Sequence, residues 1–266
     1  MSDAKISRSS YLSRNVGEYP DEVEILGNKY VKVDDLRYGT NPHQTAACYK
    51  PVGVTTPIGD LEILKTGKSG LSQTNLEDIS YSLNIIKFYD KPACACMKHV
   101  NPCGAAVAVA GDTVVDVYRK ARAADPRAAF GCVAAFSCEV DEATAKEIMG
   151  AFTECVVAPS YTAAALATFN DRESFKLNKH IRIVRVKDLA AIPRYVGDEA
   201  THGSTIKVLH DGSLVISDPL LTHLRGVDDL KRATGKNKAC GEQESTAPAT
   251  PQQLEDLLAA WYINMN

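Results

Sequence analysis

From Asn75 onward, apolar residues recur at three- and four-residue steps, at Leu76, Ile79, Leu83 and Ile86. This pattern predicts one buried face of an amphipathic helix that stops before Asp90-Lys91-Pro92. Upstream, Val23, Ile25, Tyr30, Val31 and Val33 flank Gly27-Asn28 and predict a hairpin, which opens into the loop LRYGTNPHQ. Downstream, the short apolar run ACACMKHV halts at Asn101-Pro102-Cys103-Gly104, so a strand is expected to reach Lys98 and His99 and then break into a sharp turn. Asp112 is suited to cap a helix carrying Val114, Val115, Val117, Tyr118 and Ala121, and FGCVAAF then has strand length. Asp141 is suited to cap another helix, followed by the strand CVVAP, a helix from near Thr162 and the strand HIRIVRV with Ile181, Ile183 and Val186 in its apolar pattern.

Strands alternating with short helices predict an α/β fold, a layered mixed sheet, largely parallel and flanked by helices, with ligands gathered at strand ends. Residues 1–22 are polar and aperiodic and read as an N-terminal arm, and residues 23–230 read as the main unit. Within that unit the pattern changes after residue 187, where TIKVLHDGSLVIS alternates around Asp211-Gly212 and predicts an edge hairpin. Residues 231–249 are small and polar and read as a linker or exposed loop. Residues 250–266 begin a new helix, with Thr250 as N-cap, Pro251 at the first position and Gln253 completing a capping box. Leu254, Leu257, Leu258 and Trp261 line one side of it and are expected to present an uncovered apolar face.

Composition narrows the picture. The 266 residues are 45% apolar and 24% charged, as expected of one or two globular units. A formal charge of −3 provides no general footprint for nucleic acid or an anionic membrane, so bound phosphate must be held locally. No apolar run reaches the roughly 18 residues of a membrane span, and the polar start MSDAKISRSS lacks a secretory pattern, so a cytoplasmic location is expected. The eight cysteines lie mostly among Ala and Val, which favours reduced thiols packed as small hydrophobes over disulfides or metal ligands.

The densest reactive cluster is Lys98-His99 before the Asn101-Pro102-Cys103-Gly104 turn. Histidine can accept a proton near neutral pH, and an adjacent lysine can stabilise developing negative charge. A solvated strand end is the competing reading. Arg37-Tyr38-Gly39-Thr40-Asn41-Pro42-His43 joins a cation, a phenol and a permissive glycine, a set suited to phosphate or ribose, against the alternative of an ordinary surface loop. A zinc deaminase signature fails twice, with Asn101 where a glutamate belongs and Ala106 where the second cysteine belongs. Neither a complete G-x-x-x-x-G-K-[ST] loop nor a dinucleotide fingerprint after a strand is present.

Taken together, RYGTNPHQTAACY, TNLEDISYSL, MKHVNPCGAAVA, ARAADPRAAFGCVAAF and CVVAPSY resemble the transformylase part of the bifunctional purine-biosynthesis family, over roughly residues 24–262 in order. That family formylates 5-aminoimidazole-4-carboxamide ribonucleotide (AICAR) with 10-formyltetrahydrofolate as cosubstrate, then cyclises the product to IMP. The resemblance implies a cytidine-deaminase-like unit without zinc, with His99 as proton acceptor and Lys98 as transition-state stabiliser. It also implies that Arg37 and Tyr38 hold the ribonucleotide, that Asn75 and Gly131 sit on the substrate side, and that Glu154 contacts the carboxamide. Arg127 falls beside the folate pocket at a variable position. No metal is implied, and a homodimer is. By the same resemblance the family's preceding cyclohydrolase domain is expected to be absent, and the C-terminal helix to match the one leading into a second deaminase-like unit, so an incomplete half or a separately encoded partner is expected. A non-catalytic ribonucleotide-binding or assembly role is the alternative.

Overall fold

The computed structural model describes residues 14, 16–198, 203–230, 234–237, 241–244 and 248–265. They form two compact units divided between Ile192 and Pro193, so the span 23–230 crosses this division.

The first unit opens with three antiparallel strands, β1 (Glu22–Ile25), β2 (Asn28–Asp35) and β3 (Ala47–Pro51). The β1–β2 turn falls on Leu26-Gly27, one residue before the expected Gly27-Asn28, because both turn residues take positive φ (52° and 74°) while Asn28 already pairs with Ile25. Of the expected arm, residues 1–13 and 15 lie outside the described residues. Residues 16–20 lie along this sheet, with the Tyr49 hydroxyl donating to the Pro20 carbonyl at 2.6 Å and the Tyr19 hydroxyl to the Thr45 carbonyl at 2.9 Å.

The main sheet begins with β4 (Glu62–Lys65), which leads to helix α1 (Gln73–Ile86). Ser72 caps α1 through a reciprocal box with Asn75, so the helix starts two residues before the apolar periodicity does. Next come β5 (Ala93–Lys98) and β6 (Asn101–Val107), helix α2 (Val114–Ala123), strand β7 (Cys132–Phe136), helix α3 (Glu142–Met149), strand β8 (Thr153–Ala158), helix α4 (Ala163–Asn170) and strand β9 (Arg182–Arg185). The strand order is β4-β9-β8-β7-β5-β6. Only β7, β8 and β9 are mutually parallel, while β4 and β9, β5 and β7, and β5 and β6 pair antiparallel. The sheet is therefore mixed and flanked by helices, as expected, with only three of its six strands mutually parallel.

Two local readings change for physical reasons. Asn101-Pro102-Cys103-Gly104 opens β6 instead of forming the turn, since the chain has already reversed at His99-Val100. Pro102 is tolerated there because β6 is an edge strand. Thr113, not Asp112, caps α2 in a box with Asp116, and Asp112 instead accepts from the Val109 amide and pairs with Lys120. Asp141 caps α3 as expected, and Thr162, near which a helix is expected to begin, caps α4.

Alternation along the central strands separates two apolar layers. Cys94, Cys96, Cys132, Ala134, Phe136, Val156, Ala158 and Ile183 join Val117, Tyr118, Ile148 and Phe169 from α2, α3 and α4 in one core. The fully buried Ile79, Leu83 and Ile86 of α1, which packs on β5 and β7, lie outside that cluster.

The second unit holds two ribbons, β10 (Thr205–Val208) with β11 (Leu214–Ser217) and β12 (Thr234–Asn237) with β13 (Gly241–Glu244), followed by helix α5 (Pro251–Asn264). The predicted edge hairpin is thus a separate two-stranded sheet, and its strands part at Val208 and Leu214, leaving five residues around Asp211-Gly212. The expected linker 231–249 contains the β12–β13 ribbon, and residues 231–233, 238–240 and 245–247 lie outside the described residues. Helix α5 has the expected Thr250–Gln253 box. Its buried side chains are Leu258 and Tyr262, joined by Met265 just after its end, whereas Leu257 and Trp261 are exposed. Trp261 is nevertheless tethered, its Nε1 donating to Thr222 Oγ1 at 2.9 Å, and the Tyr262 hydroxyl donates to the Leu224 carbonyl at 2.9 Å.

Candidate active site

Mixed topology decides where chemistry can gather. Because β5 runs against β7 while β8 and β9 run with it, the end of β5 and the starts of β7, β8 and β9 share one sheet edge. Lys98 ends β5, Gly131 immediately precedes β7, Glu154 is the second residue of β8 and Arg182 the first of β9. Strand β4, antiparallel to β9, ends at the same edge and delivers the loop 66–71 and the N-terminus of α1 with Asn75. Backbone bonds then stitch Arg37 and Tyr38 alongside. The Arg37 amide donates to the Leu71 carbonyl at 2.8 Å, and the Gln73 amide donates to the Tyr38 carbonyl at 3.0 Å.

Side chains join these elements. Asn75 is buried and donates through Nδ2 to Glu154 Oε2 at 3.3 Å. Buried Arg182 approaches the same carboxylate oxygen at 3.9 Å and donates from Nε to the Gly70 carbonyl at 2.8 Å. Arg37 is 6% exposed, with its guanidinium 4.7 Å from the Tyr38 ring centre. Burial, then the neighbouring Arg182, lowers the Arg37 pKa, and Tyr38 and Glu154 oppose that shift. Its Nε is buried without a hydrogen-bond partner. Two buried guanidiniums beside one carboxylate leave a positive excess, the condition that favours an anionic ligand.

Lys98 Nζ donates to the Phe130 carbonyl and lies 5.9 Å from the Phe130 ring centre. Gly131 has φ +75°, and a Cβ there would stand 3.0 Å from the Phe152 ring and 3.5 Å from Lys98 Nζ, so the glycine keeps open the space beside the lysine.

His99 and Val100 form the tight turn between β5 and β6, with φ of 53° and 60°. Such turns favour Asn-Gly or Gly-Gly, and left-handed backbone costs about 1–2 kcal/mol for a residue with a side chain. A β-branched valine there is an outlier. Two contacts hold the turn: Asp78 Oδ1 accepts from the Val100 amide at 2.7 Å, and Asn101 Nδ2 donates to the His99 carbonyl at 2.8 Å. The His99 side chain projects from an exposed position.

All seven residues nominated from sequence, Arg37, Tyr38, Asn75, Lys98, His99, Gly131 and Glu154, therefore fall in one region. Asp78 and Arg182 complete it and were missed. An acid three residues beyond Asn75 on the same helical face, and an arginine inside the run IRIV, were the available signals. Arg127 is exposed in the turn that Asp125 closes, its amide donating to Asp125 Oδ1 at 3.1 Å. A cleft of about 370 Å³ adjoins the site through Gly70 and is lined by Thr66, Gly67, Lys68 and Ser69, with Arg14 and Asp34. A larger hollow of about 510 Å³, between α2 and α3, contains none of the nominated residues.

Cys94, Cys96, Cys132 and Cys155 are buried and unpaired, and burial raises the Cys155 thiol to about 12 and that of half-buried Cys103 to about 11. They pack as small hydrophobes, as expected. Cys240 lies outside the described residues. Among the described residues no group of three or more His, Cys, Asp or Glu side chains is arranged to hold a metal, and no helix is long and apolar enough to cross a membrane.

The sequence matches the AICARFT/IMPCHase bienzyme family over residues 2–265. The chain belongs to this family. Its relatives include a bifunctional purine biosynthesis protein PurH from Acetivibrio thermocellus, 37% identical over 259 residues that cover 96% of this chain and 44% of the relative. Proteins of the same name from Nostoc sp. and Dictyostelium discoideum are each 34% identical, covering 87% and 88% of this chain and 40% and 39% of their own lengths. The chain thus spans less than half the length of these relatives.

Proposed function

We propose that this chain acts in purine biosynthesis by transferring the formyl group of 10-formyltetrahydrofolate to the 5-amino group of AICAR. The observation that carries the reading is the convergence of Arg37, Tyr38, Asn75, Lys98, His99, Gly131 and Glu154 on one sheet edge from separate stretches of sequence. The AICAR amine is a weak nucleophile because its lone pair is delocalised, so transfer requires a base and an oxyanion stabiliser together. His99 removes the amine proton as the amine nitrogen bonds to the formyl carbon, and Lys98 stabilises the tetrahedral oxyanion. Collapse breaks the bond from that carbon to folate N10, which leaves with a proton. Buried Arg37, with its unpartnered Nε, anchors the phosphate beside Tyr38, and Asn75 and Glu154 meet the carboxamide. The family membership supports a homodimer in the cytoplasm.

A second reading is ribonucleotide binding without turnover. It is favoured by the engagement of Lys98 Nζ with the Phe130 carbonyl. Calorimetric titration of the chain with AICAR, followed by addition of the formyl donor, separates the two. Binding with formyl-AICAR formation is the expected result, binding without product supports the second reading, and no AICAR binding removes both.

A further inference from the structure

The turn bearing His99 is held in an unfavourable backbone conformation by a residue that contributes no atom to the proposed chemistry. Asp78 lies one helical turn beyond Asn75 on the buried face of α1 and is 4% exposed. Its Oδ1 accepts from the Val100 amide at 2.7 Å, and the His99 amide lies close enough to favour its charged form. These are the two amides of the left-handed pair, and a turn with such φ values leaves them pointing out of the ladder. A backbone position that neither histidine nor a β-branched residue favours persists only where its surroundings over-determine it. Here the over-determining group is a buried carboxylate on a helix packed against β5.

We propose that Asp78 is a positioning residue that fixes the His99-Val100 turn and thereby aims the His99 imidazole at the reacting amine. The inference rests on the proposed role of His99, but its structural half does not. Helix α1 fixes both sides of the region at once, since Asn75 engages Glu154 while Asp78 engages the turn. Burial raises the Asp78 pKa, and the two amides and the nearby His99 oppose that shift, so the carboxylate is tolerated in its setting through what it binds.

Amide hydrogen exchange of the 266-residue chain tests the structural half. Asp78→Ala should accelerate exchange at the position-100 amide by about tenfold or more, and Asp78→Asn, which keeps an acceptor oxygen, should restore most of the protection. Val100→Gly removes the steric objection to positive φ, so Asp78→Ala should lower the urea midpoint less in a Val100→Gly background than in the wild type. Unchanged exchange in a folded Asp78→Ala chain, or strictly additive midpoints, would overturn the assignment. If Asp78→Ala alone fails to fold, the double variant and Asp78→Asn still decide it. In an assay competent for formyl transfer, kcat should fall about 10²-fold with KM within threefold, as displacement of a reacting group predicts. An altered turn with unaltered kcat would leave the clamp standing and remove His99 from the proposed chemistry.

Discussion

A general base and a phosphate anchor leave different kinetic marks when removed, and Arg37 and His99 can be told apart on that ground. His99→Ala should reduce formyl transfer by about 10²- to 10⁴-fold while AICAR affinity stays within about tenfold, because the exposed imidazole acts on the proton and not on the phosphate. Arg37→Ala should chiefly weaken AICAR binding, by about tenfold or more, since a charge-assisted phosphate contact acts in ground and transition state alike. Full activity in the first variant, or an unchanged dissociation constant in the second, removes that residue from its role. Gly131→Ala tests the space beside Lys98. The variant should lose about 1–2 kcal/mol of stability by urea denaturation, because φ is +75° and the Phe152 ring stands 3.0 Å from the new methyl. Unaltered stability would mean that Phe152 yields freely. Lys98, His99, Arg37 and Tyr38 stood out as reactive types in dense clusters, whereas Asn75, Gly131 and Glu154 entered only through the family resemblance. Asp78 was not legible, because an acid within an apolar periodicity reads as a solvent-facing break until the partner amides are known.

At the scale of elements, helices were legible and the second strand of the central hairpin was not. Ser72, Asp141, Thr162 and Thr250 all precede apolar spacing of helical period, and all four cap helices. Asn101-Pro102-Cys103-Gly104 carries every local mark of a turn, yet forms the start of an edge strand because tertiary contact holds the reversal two residues earlier. Helix α1 is the element that enforces this, at a cost that depends on pH. The pKa of Asp78 is raised in the folded state, so its favourable contribution is present below the ordinary carboxylate value of 3.8 and is lost as pH rises through the folded value. Asp78→Asn does not titrate. The urea midpoint of the variant minus that of the wild type should therefore increase from pH 4 upward and level off above the folded pKa. A difference that decreases over this window would show that the amides, and not burial, dominate the carboxylate. Glu154, His99, Cys103 and Cys155 all lie near enough to Asp78 to interact electrostatically, so the difference reports Asp78 together with its coupling to them.

Over the whole molecule, apolar surface is unevenly distributed, and this imbalance was only half legible. The alternating and runlike patterns of the first unit correspond to strands whose central residues are fully buried, as at Cys94, Ala134, Val156 and Ile183. The pattern TIKVLHDGSLVIS is equally apolar, yet Ile206, Val208, Leu214, Val215 and Ile216 are exposed on the β10–β11 ribbon. Sequence alternation reports that a face is apolar and cannot report what covers it. Register places Ile206 opposite Ile216 and Val208 opposite Leu214, so these four side chains share one face of a two-stranded ribbon. An exposed ribbon of this kind is marginal in water on its own and tends to be covered by association. The chain is therefore expected to self-associate with increasing concentration, and Ile206→Lys combined with Ile216→Lys should raise the monomer fraction. The paired charges repel across the strands and stay soluble, while the first unit, with its separate core, should keep its helical circular dichroism. Sedimentation velocity across a concentration series measures the shift. A wild-type chain that remains monomeric at every concentration would remove both this association and the proposed homodimer, and association unchanged in the double variant would place the interface on another surface.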